Sequence, residues 1–450
     1  MTENRFAQSF HFGSLMHFSI PTMVMMVFMS LYQTVDGVFI SNLVGELGLT
    51  ALNIVYPFTS VVIGVAVMLA SGGSAMISLQ MGMGESRAAK ENFTFITLAG
   101  AVISGLIVGL GLVFIHPLLH FLGATPLIYQ MCYEYLLIMI LSAPLCLFQL
   151  FFQAFLIAAG KPKLGLTMTL LSGLANLVLD AVFIIYCDMG IRGAALGTAI
   201  GYGITAIYGV FYFAFARKGQ LYFVRPQLRL RLLGKVCLNG CSEMVNNLAV
   251  AVTTLLFNLI GLRLLKEEGV AAISIVLYAQ YVMTAVFMGY SNGVAPIFSY
   301  KYGADDRPQI RSLFRTSMIF VSVLSLGVFG LSFVVARPIG LVFASGNPYV
   351  LDLAVNGFLL FAVSFLFTGL NIFVCALFTA FSNGLVSGFL SFLRTFFLLV
   401  AALLLLPAWI GPAGIWLAVP LAEGIALLFS LGAIYRHRKT YHLLNKADPA

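Results

Sequence analysis

Leu49-Thr50-Ala51-Leu52-Asn53-Ile54-Val55 returns as Val270-Ala271-Ala272-Ile273-Ser274-Ile275-Val276, an offset of 221 residues. The same offset lays Met81-Gly82 on Tyr302-Gly303 and His116-Pro117 on Arg337-Pro338, and it lays Gly190 and Gly193 on Gly411 and Gly414. Residue by residue the likeness is weak. Its weight comes from one constant offset that holds without a gap at four separated places. A chain built this way is two copies of one unit.

Both copies are apolar. The chain is 61% hydrophobic and 9% charged, whereas soluble proteins carry roughly 25% charged residues. A bilayer core about 30 Å thick takes roughly 20 apolar residues per helix. Twelve such runs lie near 15–39, 51–79, 93–115, 131–158, 165–187, 193–215, 236–262, 270–299, 313–336, 350–379, 385–409 and 413–435. They are continuous rather than alternating, which excludes a membrane β-barrel. Met1 to Gly13 is polar and the first run is long enough to span, so no cleavable signal is expected.

Orientation follows from the basic residues. With the N-terminus cytoplasmic, inside segments hold Arg5, Arg87, Lys90, Lys161, Lys163, Arg217, Lys218, Arg225, Arg229, Arg231, Lys235, Lys301, Arg307, Arg311, Arg315, Arg436, Arg438, Lys439 and Lys446. Outside segments hold only Arg192, Arg263, Lys266 and Arg337, and Arg394 lies within a span. Both termini are therefore expected in the cytoplasm. The net charge of +8 reads as topology rather than as a nucleic-acid footprint.

Six spans per copy is an even number, so the second copy enters the membrane in the same sense as the first. The expected fold is an all-α polytopic membrane protein. Its 12 transmembrane helices form two parallel six-helix lobes, related by a pseudo-two-fold axis along the membrane normal. The expected divisions are an N-terminal lobe at 1–216, a basic cytoplasmic linker at 217–235, a C-terminal lobe at 236–436 and a cytoplasmic tail at 437–450. Lobes that rock against each other would open a cleft to either side. A monomer in contact with membrane lipid is expected.

Several features carry no chemistry. The six cysteines are scattered within or at the ends of spans, with no metal-ligand spacing, and read as small buried hydrophobes. The histidines lie in termini and loops. Gly105, Gly109 and Gly111 sit inside a span, where small residues let helices approach closely. No Walker A loop is present, and no cofactor is expected. Energy would come from an ion gradient or a separate partner.

Ionisable groups inside the hydrocarbon are costly, so the few that remain are functional candidates. Asp36 lies late in the first span and Asp180 late in the fifth; both spans run outward, so the carboxylates share a depth. Asn176 is four residues before Asp180, on the same helix face. Thr198, early in the sixth span, reaches that depth from the outer side. These oxygens suit either a hard cation such as Na+ or a proton shared between close carboxylates. The second copy does not repeat them: the equivalent positions are Phe257, Phe397, Ala401 and Val419.

The second half has Glu243, Arg394 and Glu423 instead. Arg394 and Glu423 fall at similar depth, consistent with a buried structural ion pair. Glu243 is open between binding a cationic substrate, carrying a proton and forming a gate. Tyr32, Gln33, Asn53, Gln153, Tyr278 and Asn292 are amphipathic candidates for the cleft wall. With nearby methionines they suit loosely specific binding of flat organic cations.

The chain resembles the multidrug and toxic compound extrusion (MATE) family of secondary transporters over essentially its whole length. The likeness rests on Ile20-Pro21, on Tyr32-Gln33-Thr34-Val35-Asp36, and on Gln153 with Gly160-Lys161-Pro162-Lys163. It rests most specifically on Asn176-Leu177-Val178-Leu179-Asp180 followed by Gly190-Ile191-Arg192-Gly193-Ala194-Ala195-Leu196-Gly197-Thr198-Ala199. The resemblance implies export of drug-like, often cationic compounds from a bacterial inner membrane in exchange for H+ or Na+. It implies an ion site at Asp36, Asn176, Asp180 and Thr198. Some members carry a second acidic site on the seventh and tenth spans; this chain has Glu243 on the seventh and Asn371 on the tenth.

Three other functions compete. A flippase of lipid-linked saccharide precursors needs cationic groups in the cleft for a pyrophosphate, and none is evident. A membrane-embedded enzyme using Asp36 and Asp180 as an aspartyl pair gains nothing from the duplication. A passive channel would not export against a gradient.

Overall fold

The computed structural model describes residues 6–217, 219–344 and 347–443, the side chains of 38–42, 46 and 49 excepted. Arg5, Lys218 and Lys446 of the charge argument lie outside the described residues, as does the tail beyond 443. The helices are α1 Phe12–Leu43, α2 Glu46–Gly82, α3 Ser86–Val113, α4 Ile115–Leu122, α5 Tyr129–Ala158, α6 Pro162–Ala181, α7 Gly190–Phe215, α8 Leu230–Gly303, α9 Arg307–Ala344, α10 Pro348–Ala362, α11 Phe365–Ala380, α12 Gly384–Phe392, α13 Leu399–Ile410 and α14 Ala413–His437. In lipid a helix satisfies its own backbone polar groups, which is why each long apolar run takes this form.

Among the described residues, ten helical stretches are long and apolar enough to cross a membrane. One of them, α8, has 74 residues, which at 1.5 Å each would run to about 110 Å, well beyond one bilayer. Lys266, at φ 59° and ψ −154°, breaks it into arms at 230–265 and 267–303. α10 and α11 meet at a 53° bend and together make one more crossing. Counted this way, the described residues make twelve crossings, six before the linker and six after it. Single π-helical turns extend α6 through Val182–Tyr186 and join α12 to α13 through Leu393–Leu398.

The first and last described residues lie at one end of the bundle. Phe6 packs 5.8 Å from Tyr300, and Tyr441 packs 5.5 Å from Tyr302 and 4.6 Å from Phe381. This is the terminal end; the opposite side is the far end. Each half has its own core, with Phe93, Phe151, Phe152, Phe155 and Phe213 in the first and Phe358, Phe361, Phe365 and Trp416 in the second. A further core at the terminal end is shared: Phe6, Phe10, Phe18 and Met25 pack with Tyr290, Ile297, Phe298 and Phe314.

The halves meet through small residues. A Cβ on Gly72 of α2 would run into the backbone of Val236 and Gly240 on the first arm of α8. Its repeat mate, Gly293 on the second arm, lies against Ser19 and Thr22 of α1, and Ser19 is itself the mate of Gly240. The pseudo-two-fold thus appears in atomic contacts as well as in the repeat.

One sequence expectation changes in detail. Gly111 packs on Ile140, but Gly105 and Gly109 have nothing within 4 Å of a Cβ and so do not mediate helix contact. The basic linker becomes helical at Leu230. Its earlier part lies on the first half: Leu221 is buried, Phe223 stacks 5.3 Å from Phe93, and the Val224 N–H donates to Thr94 Oγ1 at 3.1 Å.

Candidate functional site

Counting back from the far end fixes the depth of the first-half polar groups. Asp36 is seven residues from the end of α1, Asp180 six from the end of the π-turn after α6, and Thr198 eight from the start of α7. At 1.5 Å per residue all three lie about 9–12 Å inside that end. The fold brings them together. The Asp36 and Asp180 carboxyls are neighbours, and the Asn176 side chain adjoins Asp180. The Asn176 amide donates to Thr198 Oγ1 at 3.3 Å.

Asp180 is fully buried, and Gly197 accounts for its fit. A Cβ at Gly197 would collide with Asp180 Oδ1 and lie 3.1 Å from its Cγ. Only glycine leaves room for this carboxyl against α7. Gly201, one turn on, admits Asn176 and the Ser172 carbonyl in the same way. Gly197 and Gly201 were not singled out as site residues in the sequence; the signal lay in a glycine ladder at i, i+4 facing Asn-x-x-x-Asp.

Asp36 Oδ1 and both oxygens of Asp180 are buried without a hydrogen-bond donor. Ionised carboxylates are acceptors only, so the pair cannot bond to each other unless one holds a proton. Two adjacent buried negative charges are costly. A proton or a small cation would relieve both problems. Asp36, Asp180, Asn176 and Thr198 offer an all-oxygen set that fits such a cation. Among the described residues no cluster of three His, Cys, Asp or Glu side chains is placed to hold a transition metal.

Three phenols lie in the neighbourhood of Asp36. Tyr32, Tyr135 and Tyr202 all lie close to Asp36, with Gln149 at Tyr32 and Cys146 at Tyr202. Tyr32 packs on Gly173. Tyr135 and Tyr202 are a second omission of the sequence reading, since aromatic residues at helical spacing look like ordinary core.

The candidate cleft residues divide. Tyr281 donates a hydrogen bond to Gln33 Oε1 at 2.5 Å, across the two halves. Tyr32 is close to Tyr281, and Tyr56 is close to both Tyr278 and Tyr281. Tyr278 stacks on Phe343 at 6.1 Å. Asn53 and Asn292 are exposed on α2 and on the second arm of α8. Gln153 is buried inside the first half; its amide donates to Thr169 Oγ1 at 2.8 Å and to Met29 Sδ at 3.2 Å.

In the second half Arg394 Nη1 lies 3.8 Å from Glu423 Oε1. Asn371 bonds to Glu423 Oε2 at 2.7 Å and to its carbonyl at 2.9 Å, while Ser430 donates to Asn371 Oδ1 at 2.8 Å. Asn371 of the tenth span is thus a hydrogen-bonding support for Glu423. Glu243 approaches Arg394 from the first arm of α8 and has Asn246 beside it.

Comparison with known proteins adds the family. The MatE family model matches residues 21–182 and 244–404, one stretch in each copy. The multidrug export protein MepA of Staphylococcus saprophyticus is 26% identical over 377 residues, covering 81% of this chain and 82% of its own. A MATE crystallised in complex with MaL6 superposes with a TM-score of 0.93 at 17% identity, over 98% of this chain and 100% of that one. The outward-facing conformation of a multidrug resistance MATE family transporter of the MOP superfamily gives 0.92 at 18% identity, over 98% and 99%. At these identities the structural likeness speaks for the fold.

Proposed function

The chain belongs to the MatE family, and from that premise we propose that it is a secondary active multidrug efflux antiporter. Family membership makes it a transporter rather than an enzyme. It exports amphipathic, cationic organic compounds in exchange for H+ or Na+. The name of its staphylococcal relative, a multidrug export protein, supports this cargo class. The observation that carries the coupling is the buried Asp36–Asp180 pair, present in one half only and short of donors.

Residues 1–216 and 236–436 are the two moving lobes, joined by 217–235 and followed by the tail at 437–450. The membrane is the bacterial cytoplasmic membrane, and the terminal end faces the cytoplasm, a reading that the distribution of basic residues supports. With Asp36 and Asp180 ionised, the first lobe attracts a cation to the aromatic wall of Tyr32, Gln33, Tyr278 and Tyr281, with Asn53 and Asn292 exposed on the helices beside it. Loading of H+ or Na+ from outside neutralises the pair, rearranges α1 near Pro21 and weakens cargo binding. Exchange follows because ion and cargo favour the same states differently.

The experiment is ethidium export from proteoliposomes under an imposed pH gradient alone and a sodium gradient alone. Export under one of them identifies the ion. Export under neither, with folded protein, overturns the antiport reading.

A further inference from the structure

Residues 6–11 precede the first span, yet they are fastened to the second half of the chain. Phe6 and Phe10 are 0% and 2% exposed. Phe6 sits between Phe18 of α1, at 5.5 Å, and Tyr300 near the end of α8, at 5.8 Å. The Phe10 N–H donates to Gln309 Oε1 on α9 at 3.0 Å. The Ala7 carbonyl accepts from Lys301 Nζ at 3.4 Å.

Lys301 makes this more than incidental packing. Its side chain is 4% exposed, and its charge is answered by Asp306 at 2.9 Å and by Ala7. A buried ammonium needs each of its partners. One of them is supplied by a segment that belongs, through the chain, to the opposite half. The attachment lies at the terminal end, beside the shared core and close to where α1 meets α8.

The linker joins the halves covalently and cannot let go. Residues 6–11 join them a second time, by contacts that can. If the halves separate at this end, the segment cannot stay both on α1 and on Lys301 and Gln309. We infer that residues 6–11 are a strap that latches the terminal end of the cleft shut, and that each transport cycle releases it. This rests on the two halves moving apart, as in the antiport reading.

The test uses full-length chain whose six native cysteines are replaced by alanine, with Ala7→Cys and Gln309→Cys bridged by a short bis-methanethiosulfonate reagent. Bridging should lower ethidium export by about tenfold, and reductant should restore it, while each single-cysteine variant given the same reagent matches untreated protein. Export at the untreated rate with the bridge in place overturns the strap. A second readout needs no transport. Phe6→Ala with Phe10→Ala should raise labelling of a Ser19→Cys reporter by an impermeant maleimide about fivefold over the same reporter in the native background. Unchanged labelling overturns the strap; absent export from the native chain, with raised labelling, overturns only the antiport reading.

Discussion

Gly82 and Gly303 are equivalent positions of the repeat, and each packs on the other's helix. A Cβ on Gly82 would run into the carbonyl of Tyr300 and lie 3.0 Å from the Ala304 nitrogen. A Cβ on Gly303 would run into the carbonyl of Leu79 and lie 3.1 Å from the Met83 nitrogen. Leu79 and Met83 are themselves the mates of Tyr300 and Ala304. The contact is therefore an interface of one patch with its own copy, the self-complementary form that a two-fold imposes. It closes the terminal end by backbone against backbone.

Backbone cannot rotate out of the way of a new methyl group. Gly82→Ala and Gly303→Ala should each weaken closure at the terminal end by about 1–3 kcal/mol, with similar size because the sites are symmetry mates. Thiol labelling of a Ser19→Cys reporter should rise in both. Gly105→Ala, with open space around it, should leave labelling and melting temperature unchanged. Unequal effects at 82 and 303 would count against the two-fold.

Asp36→Asn and Asp180→Asn each leave a neutral amide in place of an ionisable group. Gradient-driven ethidium export should fall to the level of empty liposomes in both. Melting temperature in detergent should hold or rise, since one buried charge is gone. Asp36→Asn protein that exports at the native rate would remove Asp36 from the coupling.

Gly197→Ala should reproduce the loss seen with Asp180→Asn although it removes no ionisable group, because the methyl displaces Asp180 Oδ1. Overpacking of this kind costs about 1–3 kcal/mol. Gly203→Ala on the same helix, whose nearest neighbour is at 3.7 Å, should export normally. The comparison separates placement of the carboxyl from general damage to α7.

Arg394 and Glu423 are a buried pair with Asn371 bound to the carboxylate. Arg394→Met alone should destabilise the protein by about 3–5 kcal/mol, by stranding Glu423. Adding Glu423→Gln should recover most of that, because the amide oxygen still accepts from Asn371. Thermal unfolding in detergent reads both. Full recovery of stability together with native export would mark the pair as structural.

Much of this could be read from residues alone. The lengths of the apolar runs and their even number per copy place twelve crossings, because solvation by lipid acts on each run separately. The offset of 221 residues predicts a two-fold, because duplicated chain folds alike. Asp36 and Asp180 stand out because a carboxylate in hydrocarbon is costly wherever its helix points. Gly105 and Gly109 show the limit: glycine in a span suggests close packing, but only the neighbours reveal whether anything is packed there.

The sequence by itself determined the number of spans, the duplication and the absence of Asp36 and Asp180 equivalents from the second copy. Each follows from composition and register along one dimension. Only the tertiary structure decided that Gly197 makes room for Asp180, that Tyr135 and Tyr202 join the pair, that Asn371 supports Glu423, and that Phe6 and Phe10 bind the opposite half. These depend on how each helix is rotated about its axis and which neighbour it meets. That is settled by packing between segments far apart in the chain, which local hydropathy and spacing do not encode.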